Sequence, residues 1–94
     1  MPFVLSVENP ETAHILRITK PEEEPGADTY IATVLARGSE VVKQGSYATL
    51  WWDRRNRRVV VQTSSLHPSD LGKVVEQIEA HHRRRERLPR AAER

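Results

Sequence analysis

Residues 47–65 read YATLWWDRRNRRVVVQTSS, and this stretch decides the fold. Two runs that are typical of β-strands, residues 47–52 and 58–63, flank the polar segment 53–57. The three valines at 59–61 are a strong strand signal, because β-branched side chains fit a pleated and half-buried surface. The stretch therefore predicts a β-hairpin that carries most of the large apolar side chains and the densest positive charge.

The turn of this hairpin predicts its register. Asp53 suits the first position of a turn and Asn56 suits a left-handed position, which together favour a type I turn followed by a bulge, with Asp53 facing Arg57. The next facing pairs are then Trp52 with Arg58, Trp51 with Val59, and Leu50 with Val60. Because side chains alternate between the two faces of a strand, one face would carry Tyr47, Trp51, Val59 and Val61, and the other Ala48, Leu50, Trp52 and Val60.

Both faces of the predicted hairpin are apolar near the middle, which indicates a ribbon that is covered at least partly on both sides. Trp52 lies nearest the turn, so we expect it to be the more exposed of the two tryptophans. An Arg58 guanidinium over the Trp52 ring would then make a cation–π contact worth about 0.5–1 kcal/mol.

The first half of the chain predicts further strands. Residues 3–7 and 13–19 read as two strands around a turn at 8–11, although Asn9 and Pro10 also suit the start of a short helix that would end at Lys20. Residues 20–28 contain two prolines and three consecutive glutamates, which is typical of a loop. Residues 29–37 alternate as a strand, 40–43 suit a short strand, and 44–46 suit a bulge or turn.

After Ser65 the apolar pattern changes to the helical period. His67 suits the cap, Pro68 the first helical position and Asp70 the positive end of the helix dipole. A helix from Pro68 to about Glu86 is expected, stopped by Leu88 and Pro89. Its apolar stripe consists of Leu71, Val74, Val75, Ile78 and then His82, whereas Lys73, Glu76, Gln77 and Glu79 face outward.

These elements predict a single α+β domain over residues 1–88, followed by a flexible basic tail over residues 89–94. The domain is an antiparallel sheet of four to five strands with one C-terminal amphipathic helix packed on one face. The apolar stripe of the helix needs a partner, and one face of the sheet is the large surface available. The opposite face would then expose residues such as Trp52 or Tyr47, and a partly apolar exposed face often marks a protein interface.

Composition narrows the class of protein. The 94 residues include no cysteine, which removes disulfides, thiolate zinc sites and cysteine nucleophiles. The N-terminus lacks the basic segment of a signal peptide, and no apolar run approaches the ~18 residues of a membrane span. We therefore expect a cytoplasmic protein that does not enter the membrane.

The residues that carry chemistry form no catalytic or metal-binding motif. His81 and His82 point about 100° apart on a helix, so they are poorly placed to hold one ion. Ser64, Ser65, His67 and Asp70 are the residue types of a hydrolytic triad, but no nucleophile elbow accompanies them. We expect no enzymatic activity, no cofactor and no metal.

Charge is the remaining signal. Residues 1–47 carry four bases against seven acids, for a net −3, and residues 48–94 carry eleven bases against six acids, for a net +5. Arginine outnumbers lysine twelve to three. If the helix runs antiparallel to the last strand, its basic end returns toward the hairpin tip, and the two arginine clusters would form one patch.

Two functions follow from these patterns. The first is a small non-catalytic interaction domain, an adaptor or inhibitor, that binds a protein partner or a second copy of itself as a homodimer through the sheet. The second is a nucleic-acid-binding module with little sequence specificity. The candidate binding residues are Trp52, the hairpin arginines Arg54, Arg55, Arg57 and Arg58, and the helix-end arginines Arg83, Arg84 and Arg87.

Overall fold

The protein folds into an antiparallel sheet with one helix on it. The computed structural model describes residues 3–20, 28–43 and 45–87, with side chains between residues 4 and 85 of those ranges. The elements are β1 (Phe3–Asn9), β2 (His14–Lys20), β3 (Thr29–Arg37), β4 (Glu40–Val41), β5 (Tyr47–Asp53), β6 (Arg58–Ser64) and α1 (Pro68–Arg87). The predicted class, an antiparallel α+β sheet with a C-terminal helix, is confirmed.

The sheet is a meander in the order β1-β2-β3-β5-β6, and the two-residue β4 pairs with the end of β3. Residues 14–20 are a strand, so the helical alternative for this segment is wrong. The side chain of Asn9 accepts a hydrogen bond from the Glu11 N–H and stabilises the turn between β1 and β2. Of the predicted loop at residues 20–28, Lys20 instead ends β2, Asp28 precedes β3, and residues 21–27 lie outside the described residues. Gln44 of the predicted bulge or turn at residues 44–46, the helix stop at residues 88–89 and the tail at residues 89–94 also lie outside the described residues.

The core lies between the helix and one face of the sheet, which we call the inner face. Val74 and Ile78 of α1 are fully buried against sheet residues that include Leu16, Ile18 and Leu50. The helical spacing of the apolar residues and the two-residue spacing of the strands meet on this face, as the sequence predicts. Among the described elements, none covers the opposite face, which we call the outer face.

The register predicted for the β5–β6 hairpin is wrong by one residue. Asp53 pairs with Arg58, Trp52 with Val59 and Trp51 with Val60. The loop therefore holds four residues, and Arg57 rather than Asn56 takes the left-handed conformation, with φ 56°. The Asn56 side chain instead donates to Asp53 Oδ2 at 2.7 Å, while Asp53 Oδ1 accepts from two backbone N–H groups of the loop.

The exposure of the two tryptophans also differs from the expectation. Trp52 lies on the inner face and is 6% exposed, whereas Trp51 lies on the outer face and is 38% exposed. The expectation that Trp52 is the more exposed residue is therefore wrong. Val59 also moves to the inner face, because it pairs with Trp52, and the ring of Trp52 stacks on the helix residue His82 instead of lying beneath Arg58.

The helix begins as the sequence predicts, but its first turn is also bound to the sheet. His67 Nδ1 accepts a hydrogen bond from the Ser69 N–H at 3.1 Å, which caps the helix. Asp70 is fully buried and accepts from Asn9 Nδ2 at 2.8 Å, Thr12 Oγ1 at 2.7 Å and His14 Nδ1 at 2.6 Å. Burial raises the pKa of the Asp70 carboxyl, but the hydrogen bonds from His14, Thr12 and Asn9 outweigh it, so the net pKa lies below its usual value.

Asp70→Asn tests this buried network. We expect the free energy of unfolding at neutral pH to fall by about 3 kcal/mol, because the substitution leaves buried donors facing an amide. In the wild-type protein the lowered pKa stabilises the fold above about pH 4, and that contribution is lost as the pH falls through the folded-state pKa. Urea unfolding at neutral and acidic pH measures both effects. The exposed helix residue Glu76, changed to Gln, is the control, and an equal loss in that variant would contradict the role of Asp70.

Candidate functional site

The C-terminal half of α1 returns to the tip of the β5–β6 hairpin. Glu79 Oε2 accepts a hydrogen bond from the Val59 N–H at 3.2 Å, so Glu79 does not face outward as the sequence predicts. One turn later, the imidazole of His82 stacks on the Trp52 ring with centroids 4.2 Å apart and planes 3° apart. The helix therefore returns toward the hairpin tip, which is the condition under which the two arginine clusters approach each other.

An open cavity of about 690 Å³ lies between the hairpin tip and the helix end. Arg54 and Arg57 line it from the hairpin, and Arg85 lines it from the helix. The remaining lining residues are Asp28, Trp52 and His82. Among the described residues, three guanidinium groups from two separate elements and one carboxylate therefore face a single concave surface.

The wall of the cavity is held by an aromatic and histidine cluster. The Tyr30 hydroxyl and His82 Nε2 lie 2.8 Å apart, and the two rings meet edge to face. Burial and the charge of Asp28 raise the pKa of Tyr30 to about 12, so the phenol keeps its proton. Burial, His81 and Arg85 lower the pKa of His82 against the opposing effect of Asp28. The imidazole is therefore neutral at pH 7.

Asp28 fixes one of the arginines. Its carboxylate accepts from Arg54 Nε at 2.5 Å and lies 3.5 Å from Lys20 Nζ, and its backbone carbonyl accepts from the Trp52 N–H at 2.8 Å. Burial raises the pKa of Asp28, but Arg54 and Lys20 outweigh burial and leave the pKa below its usual value. The negative charge of Asp28 is thus already balanced by two neighbouring bases.

The structure brings together only part of the predicted set of binding residues. Trp52, Arg54 and Arg57 line the cavity. Arg55 and Arg58 are exposed at the hairpin tip but do not line the cavity. On the helix, Arg83 Nη2 lies 3.8 Å from Glu79 Oε1, and Arg84 is exposed. The side chain of Arg87 lies outside the described residues.

Sequence reasoning missed Asp28, His82 and Arg85 as cavity residues. Asp28 ends a loop that shows no motif, and its role depends on the pairing of β3 with β5, which brings it beside Trp52. His82 did carry a signal, because it falls on the apolar stripe of the helix and is therefore directed at the sheet. Arg85 lies three residues beyond His82, near the same side of the helix.

A second surface of interest is the outer face of the sheet. Tyr47 is 52% exposed, Trp51 is 38% exposed, and the partly buried Ile31 and Val60 lie near them. The pairing places Trp51 between Thr29 and Val60, and Tyr47 opposite Thr33. A groove of about 330 Å³, lined by Ile31, Thr33, Gly45, Ser46 and Tyr47, opens on this side. The outer face therefore combines exposed aromatic rings with a concave apolar surface.

Two residues of the hypothetical triad, His67 and Asp70, belong to the start of the helix, whereas the hydroxyl of Ser65 bonds the backbone of Tyr47. The His67 ring caps α1, and Asp70 binds Asn9, Thr12 and His14, as described above. Within the described ranges, the structure contains no group of three or more His, Asp or Glu side chains arranged to hold a metal ion. The helix described here is also too polar to cross a membrane.

Comparison of the chain with models of known protein families, with curated proteins and with solved structures gives no match. The cavity and the outer face are therefore the two features from which we infer a function.

The stacked His82 predicts a pH dependence of stability. A histidine whose pKa is lower in the folded protein than in the unfolded chain stabilises the fold as a neutral ring. This contribution is complete above the unfolded-state pKa of 6.5 and is lost as the pH falls from there toward the folded-state pKa. We expect the wild-type protein to lose stability between about pH 7.5 and about pH 5.5. His82→Gln should show a smaller loss over the same interval, measured by urea unfolding.

The pKa of the neighbouring His81 is lowered as well, by burial and by Arg85 and Arg84, so the double variant H81Q/H82Q should show the weakest pH dependence. Equal pH dependence in the wild-type protein and in the double variant would contradict this account.

Proposed function

We propose that this protein is a small, non-catalytic, cytoplasmic interaction domain that associates with a second copy of itself through the outer face of its sheet. The observation that carries the proposal is the exposure of Tyr47 and Trp51 on a sheet face that no described element covers. Aromatic residues are enriched at the centres of interfaces and are depleted from ordinary surfaces. Among the described residues, the helix covers the inner face and leaves the outer face open to a partner.

The charges of the outer face favour a second copy as the partner. Glu8 of β1 and Arg17 of β2 lie on this face, because their neighbours Val7, Leu16 and Ile18 are buried on the inner face. In a two-fold symmetric dimer, each residue contacts a different residue of the other chain, so Glu8 of one copy can meet Arg17 of the other, twice. The charges of the outer face are therefore complementary to those of a second copy related by two-fold symmetry.

The size of the face is also sufficient. Five strands spaced ~4.8 Å apart and about seven residues long give a flat area of roughly 550 Å², before the relief of the side chains is added. A standard interface buries about 800 Å² of accessible surface on each partner. A face-to-face pair of sheets is moreover a common packing arrangement, with ~10 Å between the two sheets.

The test is the mass of the protein in solution. We expect the wild-type protein to form a dimer at micromolar concentration and Trp51→Lys or Tyr47→Lys to shift it to a monomer, because a lysine must lose its hydration in the interface. Analytical ultracentrifugation over a concentration series measures the change.

Val61→Lys is the matched control. Val61 is also 38% exposed, but it pairs with Leu50 and lies toward the inner face, so its replacement should leave the dimer intact. A wild-type protein that stays monomeric at ~100 μM, well above the Kd range of stable dimers, would refute self-association. A monomer that binds another protein through Tyr47 and Trp51 would replace the second copy with that partner.

A second candidate function is nucleic-acid binding, and it is favoured by the gathering of exposed arginines at one end of the molecule. Arg55 and Arg58 at the hairpin tip and Arg84 on the helix are all exposed at the end to which α1 returns. Such a patch neutralises phosphates and releases counterions, so its affinity should fall steeply with salt.

Fluorescence anisotropy with single- and double-stranded oligonucleotides tests this second candidate. We expect binding at low salt that is lost in the charge reversal R55E/R58E, and that weakens by about tenfold or more when the salt is raised from about 50 to about 200 mM. Absence of binding at low salt would refute it. The double variant E76K/K73E, which exchanges charges on the helix without changing the net charge, controls for nonspecific loss.

A further inference from the structure

The backbone of Arg57 is the first sign of a binding site. Arg57 has φ 56°, a left-handed conformation that glycine and asparagine adopt readily and that other residues rarely adopt. Asn56, which suits that position, is the preceding residue and uses its side chain on Asp53 instead. Residues held in such conformations are concentrated at functional sites. The chain therefore holds an arginine in a strained position from which its side chain lines the cavity.

The second sign is the meeting of positive charge from two elements. Arg57 and Arg54 come from the hairpin, and Arg85 comes from α1, about one turn beyond the stacked His82. The carboxylate in the lining, Asp28, is already bound to Arg54 and lies near Lys20. Among the described residues of the lining, three guanidinium groups stand against one carboxylate, so the charge that these residues contribute is positive.

The third sign is the rigidity and shape of the wall. The Trp52 ring, 6% exposed, lies flat against His82, and His82 is fixed in turn by the Tyr30 hydroxyl. The volume of about 690 Å³ is in the range of small-molecule sites. A concave site of this volume favours a compact ligand over a long polymer, because a polymer needs an extended groove.

We propose that this cavity binds the phosphate group of a small organic phosphate, with Arg57 and Arg85 as its principal ligands. A guanidinium group presents paired N–H donors that match two oxygens of one phosphate. Arg54 is oriented by Asp28 and closes the hairpin side of the site. The half-buried His82 ring, held by its stacking on Trp52, lies beside these arginines and supplies the surface for the organic part. This inference concerns a different surface from the proposed dimer face and does not depend on it.

The experiment uses two ligand probes, inorganic pyrophosphate and adenosine monophosphate, titrated into the full chain by isothermal calorimetry at about 0.15 M salt, where surface charges are screened. We expect both probes to bind. Arg57→Gly and Arg85→Gln should each weaken binding by about tenfold or more, which corresponds to the loss of one charge-assisted contact.

Each variant has a matched control on the same element. Arg55→Gly makes the same change in the same loop, and Arg84→Gln makes the same change one residue earlier in the helix; both residues are exposed and neither lines the cavity. These controls should bind within about twofold of the wild-type protein, because a screened surface charge contributes little. Arg57→Gly should also keep or raise the thermal midpoint, because glycine removes the cost of the left-handed backbone. If Arg57→Gly unfolds, Arg85→Gln decides the question.

Three outcomes would overturn the proposal: no binding of either probe at millimolar concentration, equal losses in the controls, or binding of an oligonucleotide that depends on Arg57 and Arg85 while both small probes fail to bind. The last outcome would assign the phosphate to nucleic acid. Trp51→Lys should bind pyrophosphate as the wild-type protein does, so failure of the dimer and failure of this site are distinguishable.

Discussion

The buried carboxylate of Asp70 is the interaction on which the rest of the architecture depends. A buried charge is tolerated only where it is paired and hydrogen-bonded. Among the described residues, Asp70 accepts from Asn9 at the end of β1, Thr12 in the turn and His14 at the start of β2. This requirement fixes the first turn of α1 at the β1–β2 end of the sheet. Since β6 ends at the opposite edge, the helix must cross the inner face diagonally, with contacts to β1 and β2 and then to β5 and β6. The path of the helix is thus set by polar contacts at its start, and the apolar stripe supplies most of the burial along the way.

The cavity is a consequence of that path. A helix of 20 residues is ~30 Å long, so a helix fixed at one end of strands of about seven residues reaches beyond their other end. His82 is the last residue of the stripe that meets the sheet, and it stacks on Trp52 at the edge of the core. Beyond it the helix continues into solvent with a run of arginines, whose positive charge also complements the negative end of the helix dipole. The hairpin tip projects from the same end of the sheet, and the space between the two projections is the cavity.

The comparison of sequence and structure shows which features local patterns determine. The helical stripe of α1 identifies its buried apolar side chains correctly, and the two-residue alternation of β5 correctly places Trp52 on the same face as Ala48 and Leu50, because a single period assigns every residue of an element to one face. The wrong expectation that Trp52 is exposed came from its position next to the turn. The register of β6 against β5 could not be obtained in this way, because one additional loop residue moves the whole strand to the other face. The register depends on whether Asn56 or Arg57 takes the left-handed position. Sequence alone favours Asn56, because asparagine adopts that conformation more readily than arginine does. The roles of His14 and Asp28 were likewise hidden, because each depends on a contact between elements that are distant in sequence.

The left-handed conformation of Arg57 is the reason that the predicted turn was wrong. The same conformation affects the core, the outer face and the cavity. With Asn56 in the left-handed position, Val59 would share a face with Trp51, and the outer face would gain an apolar residue while the inner face lost the partner of Trp52. With Arg57 there, Val59 is placed beside Trp52 under the helix, where its N–H binds Glu79. The backbone cost at Arg57 is of order 1–2 kcal/mol, and the partial burial of the Val59 side chain offsets part of that cost. The same conformation leaves Trp51 beside Val60 on the outer face and puts the Arg57 side chain on the cavity. One strained residue at the hairpin tip therefore sets the composition of the core, of the open sheet face and of the cationic cavity together.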